Sequence, residues 1–148
     1  MNVFLVDTCA LHAMNLMIAT PCEKFFGSGG IGQRTPMQLL CTCFALQKEH
    51  EMVEFRAMWN SCNNMPCGQK FQEPVHARWE HIGVAATQFL DRIEGFCNVA
   101  EGVIKAEKSY SQRNKVASEL CSLTKESALI TMIYFLVACH KCFWFPNF

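Results

Sequence analysis

The stretch IGVAATQFLDRIEGFCNVAEGVIKAEK, residues 82 to 108, sets the architecture. Its apolar side chains Ile82, Ala86, Phe89, Ile93, Phe96, Ala100 and Val103 recur at steps of four and three. That period puts them on one face of an α-helix and predicts a single long helix ending near Lys108. Gly95 and Gly102 fall inside it and are expected to weaken it slightly, because glycine loses more backbone freedom on folding than alanine.

Downstream, KSYSQRN (residues 108 to 114) is a polar hinge, after which Val116, Leu120 and Leu123 mark another amphipathic helix. It runs close to or into the apolar tail SALITMIYFLVACHKCFWF, residues 127 to 145. The nearly unbroken apolar part, Ala128 to Cys139, is about a dozen residues before His140-Lys141, whereas a membrane span needs roughly twenty. A buried core helix is the expectation, and no membrane span.

Upstream, TPMQ (residues 35 to 38) has the residues of a helix start. Thr35 can cap, Pro36 suits the first helical position, and Gln38 can reach back to close a capping box. The helix is predicted to run to about Trp59, apolar at first (Leu39, Leu40, Cys43, Phe44, Leu46) and then charged (Lys48, Glu49, Glu51, Glu54, Arg56). NSCNNMPCGQ, residues 60 to 69, breaks it. Near the start, Val3 to Val6 reads as a short buried strand entering a helix that carries Leu11, Met14, Leu16 and Met17. GSGGIG, residues 27 to 32, is a flexible loop without the Lys-Ser/Thr that a phosphate loop requires. The fold class expected is therefore mainly α, a helical bundle with at most a short N-terminal strand. One domain spans residues 1–148, with a strand, helix and Gly-rich loop over 1–32 and a helical region over 33–148.

Thirteen basic and thirteen acidic side chains cancel, so the chain lacks the long-range positive field that concentrates proteins on nucleic acid. Any DNA contact must be local and weak. The chain carries ten cysteines, yet its first twenty residues have no basic region and Asp7 interrupts the apolar run. Secretion is not expected; the expected compartment is the nucleus or cytoplasm, where most of the thiols stay reduced and act as small buried hydrophobes.

Cys9-x-x-His12 offers two metal ligands, but a structural zinc site closes with four. The candidates for the other two are Cys62 with Cys67, or Cys139-His140-x-Cys142, neither at a familiar finger distance. As a nucleophilic pair, Cys9 and His12 would need an orienting group and oxyanion donors, which no motif supplies. The favoured reading is a buried cysteine and a hydrogen-bonded histidine, with no metal or cofactor. Glu51, Glu54, Glu80, Asp91 and Glu94 belong on solvated helix faces. In PVHARWEHIG, residues 74 to 83, Arg78-Trp79 precedes the long helix. An arginine beside an indole can hold a phosphate while the ring stacks on a base; the competing, favoured reading makes Trp79 a core anchor.

CALHAMNL (Cys9, His12, Asn15, Leu16) followed by PVHARW (Pro74, Arg78, Trp79) resembles the C-x-x-H and R-W signatures of hAT-type DNA transposases. NKVASELCSL, residues 114 to 123, with CHKCFWFPNF at the end, is similar to the helical region of transposon-derived animal proteins. The resemblance implies part of an RNase H-like core plus its helical insertion. In that family three carboxylates hold two divalent metal ions for strand cleavage and transfer. Carried over, Cys9 and His12 support the core, and Arg78 and Trp79 contact DNA near the cleavage point. Only eight residues precede Cys9, where the family places its first two acids, and the last acid would lie beyond Phe148. The expectation is a truncated or domesticated transposase piece with no catalytic residue. Its partners would be weakly held DNA, another protein or a second copy. The alternative is a small helical scaffold subunit of a membrane-associated complex.

Overall fold

The structure, a computed structural model, describes Lys24 and residues 34–75, 78–106 and 111–143. Among the described residues from 34 onward, five helices follow one another: α1 (Pro36–Lys48), α2 (Met52–Cys62), α3 (Trp79–Ala106), α4 (Gln112–Thr124) and α5 (Ser127–Phe143). The fold is mainly helical, with no strand among the described residues. The strand expected over Val3–Val6 and the loop over residues 27 to 32 lie outside them. α3 is the central element and packs against each of the other four helices.

α1 begins as its residue types dictate. Thr35 is extended, its Oγ1 accepts the Gln38 N–H at 3.1 Å, and Pro36 opens the helix where no donor is needed. Gln38 does not complete the box: its amide nitrogen donates to Glu119 Oε1 at 2.9 Å, and its Oε1 is buried without a partner. Leu39, Leu40, Cys43 and Leu46 are fully buried against α3, α4 and α5.

The single helix expected from Pro36 to Trp59 is two helices. The turn at Glu49–Glu51 contains neither glycine nor proline. There the Glu49 N–H returns to Ala45 O at 2.9 Å and the buried His50 ring bonds Leu46 O at 2.9 Å, so a side chain occupies a terminal carbonyl. Glu51 is extended, and the α2 that follows carries Phe55 and Trp59 onto α3.

α3 bears out the long periodic segment but is not one straight rod. Arg92 has non-helical angles (φ −135°, ψ 21°), and the helix kinks there. Ile82, Ala86 and Phe89 before the kink, and Phe96, Ala100 and Val103 after it, are buried, while Ile93 beside it is only half-buried. The Arg92 side chain clasps the incoming loop, donating to Cys67 O and to Gln69 O (3.1 Å) and lying 5.6 Å from the Phe96 ring centre. Gly68 supplies the one backbone angle there that favours glycine, φ +74°. The loop is docked rather than loose. The Phe71 N–H bonds the buried Gln47 Oε1 at 2.6 Å, the Gln72 N–H bonds Gln88 Oε1 at 2.7 Å, and the Phe71 ring meets Phe96 edge-on at 5.4 Å.

Gly95 and Gly102 are packing positions, not weak points. The indole of Trp59 rests on the bare backbone at Gly95, and Cys62 Sγ faces Gly102. Trp59, Phe55, Phe71 and Phe96 form an aromatic cluster with centroid separations of 5.3 to 6.3 Å, each pair contributing about 0.5–1.5 kcal/mol beyond burial. Ser111 caps α4 by accepting the Asn114 N–H at 3.1 Å. As expected, Val116, Leu120 and Leu123 are buried, and α5 leaves α4 at an angle of 85°.

Candidate functional site

Arg78 and Trp79 sit at the N-terminal end of α3. The Arg78 carbonyl accepts the N–H groups of His81 (3.0 Å) and Ile82 (3.2 Å), its own N–H bonds Val75 O at 2.9 Å, and its side chain points to solvent. Trp79 turns inward and is 7% exposed, with Nε1 buried and unpartnered. The pair therefore splits: the guanidinium is available to an anion, but the indole would have to leave the core to stack on a base. One turn on, His140 of α5 lies on the backbone of Gly83, where a Cβ would come within 2.8 Å of the His140 Cβ. Burial pushes the His140 pKa down, with the nearby Glu80 carboxylate acting in the opposite sense, and Nδ1 has no partner. A neutral imidazole at this corner is the form the packing accommodates.

Cys9 and His12 lie outside the described residues. Of the thiols that could join them, Cys67 is buried, Cys139 half-buried, and Cys62 and Cys142 exposed. Among the described residues no three His, Cys, Asp or Glu side chains converge on a point where a metal ion could sit. Burial pushes the thiols of Cys41, Cys43, Cys97, Cys121 and Cys139 up, which keeps them protonated and poor nucleophiles. Glu51, Glu54, Glu80, Asp91 and Glu94 are all exposed, as solvated helix faces require.

No family model, curated protein or solved structure matches this chain. Its chemistry has to be sought in its surfaces. An open groove of about 350 Å³ runs between α2 and α3, floored by Met58, Val99 and Val103. Arg113 at its rim is held by Glu49 O (3.0 Å) and Glu54 Oε1 (3.2 Å), so its charge is already matched.

The larger departure from ordinary surface is α5. Leu129, Ile133, Leu136 and Val137 face the core, which accounts for one side of the helix. The other side carries Ala128, Thr131, Tyr134, Phe135, Ala138 and Cys142, all exposed, with Tyr134 at 62% and Phe135 at 58%. A helix apolar on both faces is normally enclosed by other structure. No single helix among the described residues is long and apolar enough to cross a membrane. The signal was present in the sequence: Ala128, Thr131, Phe135, Ala138 and Cys142 are spaced three, four, three and four, a second stripe hidden inside a run that reads as uniformly apolar.

Proposed function

We propose that this chain is a helical protein-interaction module, derived from a fragment of a hAT-type DNA transposase and without strand-transfer activity. The observation that carries the reading is the outward stripe of α5, where two large aromatic residues and a row of small ones stand exposed on a helix whose opposite face is already committed to the core. Exposed apolar surface of this kind marks a place where another surface docks. The transposase origin rests on the Cys9-x-x-His12 and Arg78-Trp79 signatures. The inward indole of Trp79 and the balance of thirteen basic and thirteen acidic side chains both weigh against tight DNA binding.

The test is direct. The purified chain is incubated with a labelled DNA hairpin and Mg²⁺ or Mn²⁺ at physiological salt. The expected result is no cleavage and a Kd no tighter than about 1 μM, the upper end of non-specific affinity. Cleavage, or tighter binding abolished by Arg78→Ala, overturns the reading in favour of a retained DNA role.

A second reading, the small helical scaffold of a membrane-associated complex, draws on the pair α4 and α5, which together reach the length and apolarity of a span but are bent by 85°. Flotation of the chain with anionic vesicles would favour it.

A further inference from the structure

We infer that the groove between α2 and α3 is a binding site for a small neutral amphiphile, a molecule with a single hydroxyl at its head and an apolar body behind it.

His50 sets the head. This side chain is only 6% exposed, yet its ring lines the groove. A backbone carbonyl can only accept, so the 2.9 Å contact with Leu46 O makes Nδ1 the donor and fixes the tautomer of the neutral ring. The Phe55 ring, 6.5 Å away between centres, packs beside it. With Nδ1 turned back onto α1, the ring edge left to the groove is the one that carries Nε2. That nitrogen has no hydrogen-bond partner among the described residues. It is an acceptor in a nearly buried position, and its complement is an O–H or N–H donor.

Charge chooses between the two kinds of donor. One turn on from His50, Glu54 lines the groove and pairs with Arg113 at 3.2 Å, so the two charges cancel. No net charge is left there to hold an ammonium against the cost of removing it from water, and a neutral hydroxyl fits.

Away from His50 the lining is apolar. The half-buried Met58 and the exposed Ala106 stand over a floor of Val99 and Val103. At the far end Gly102 faces Cys62, and its lack of a side chain keeps that end open, since a Cβ there would lie 3.2 Å from Sγ. α2 rises about 16 Å over its 11 residues, which sets the length of the groove. Its volume of about 350 Å³ lies in the range of small-ligand pockets, about 300–1,000 Å³. A ligand hydroxyl gives Nε2 the hydrogen bond that water gives, and its apolar body takes Met58 and Ala106 out of water in the same step.

The test uses the full chain and two probes of nearly equal shape, 4-pentylphenol and 4-pentylanisole, of which the second has no O–H to donate. Titration is expected to give a Kd of about 10 μM to 1 mM for the phenol, as its size allows. The anisole is expected to bind roughly tenfold more weakly, the loss of one hydrogen bond. Cys62 reports the place of binding. With the phenol at about twice its Kd, alkylation by iodoacetamide, followed peptide by peptide in a mass spectrometer, is expected to slow about threefold at Cys62. Cys142, the exposed thiol of α5, is expected to react at an unchanged rate. His50→Asn keeps an N–H for Leu46 O and removes Nε2, so it is expected to bring both probes to the affinity of the anisole.

No binding of the phenol up to about 1 mM overturns the proposal. Equal affinity for the two probes in the wild type does so too, as does an alkylation rate at Cys62 that the phenol leaves unchanged or slows only in step with Cys142. A folded His50→Asn protein that still prefers the phenol is equally decisive against it. If that variant does not fold, the probe pair and the thiol rates of the wild type decide the matter by themselves.

Discussion

Replacing Gly95 with alanine puts two opposing effects on one residue. In an open helix interior the change stabilises by about 1 kcal/mol, since alanine loses less backbone freedom on folding. Here a Cβ at position 95 would lie 3.0 Å or less from Cη2, Cζ2 and Cζ3 of Trp59, where ordinary contact begins at 3.4 Å. The ring cannot simply swing away. It is fully buried, Nε1 donates to Met65 O at 2.9 Å, and Phe96 meets it edge-on at 5.3 Å. Overpacking of a filled core costs about 1–3 kcal/mol, and the aromatic cluster behind Trp59 puts this site at the upper end. The expected net effect is a loss of about 1–2 kcal/mol, read as a lower urea midpoint with unchanged slope. Trp59→Phe removes the second ring from the contact, so Gly95→Ala in that background is expected to be neutral or stabilising, a coupling of about 1–2 kcal/mol. A Gly95→Ala protein more stable than wild type, or strictly additive effects in the double variant, refutes the close approach of Trp59 to α3.

Two other outcomes follow from the corner where α3 meets α5. Trp79→Ala is expected to cost about 3–5 kcal/mol, seen in thermal unfolding, whereas Trp79→Phe, which removes a buried unpartnered N–H, costs less than about 1.5 kcal/mol. A Trp79→Ala protein of normal stability refutes its role as a core anchor. His140 is held below its ordinary value of 6.5 by burial, so as the pH falls past 6.5 the unfolded chain takes up that proton before the folded one does. Its contribution is full above that pH and is lost below it. Melting temperature should therefore drop more steeply between about pH 7 and pH 5 in the wild type than in His140→Asn, and equal slopes would count against the desolvated ring.

The helices that sequence periodicity locates are the ones whose determinants are local. Thr35-Pro36 starts α1 with its own side chains, and the rows from Ile82 to Val103 and from Val116 to Leu123 are buried because their spacing leaves no other common face. The break at Glu49–Glu51 and the kink at Arg92 were not legible, because no glycine or proline marks either place. The first turns on the His50 ring reaching the Leu46 carbonyl, which residue types alone do not announce, and the second on partners distant in sequence, the carbonyls of Cys67 and Gln69. Gly95 and Gly102 look like propensity defects until the residues covering them, Trp59 and Cys62, are known. At the candidate sites the residue types of Arg78-Trp79 left two orientations open, and burial separates the two side chains. The α5 stripe was readable, but a nearly unbroken apolar run, which reads as a buried core helix, obscures the finer period within it.

The clasp at Arg92 divides α3 in time as well as in space. The first half of the helix leans on α5 through Gly83 and His140, and the second half leans on α2 through Gly95 and Gly102. An opening that detaches α5 exposes amides on one side of the kink without requiring those on the other to open. Hydrogen exchange along these 28 residues is therefore expected to show two protection levels, with the step at Arg92. A partner that covers α5 slows the first half of the helix and leaves the second half unchanged.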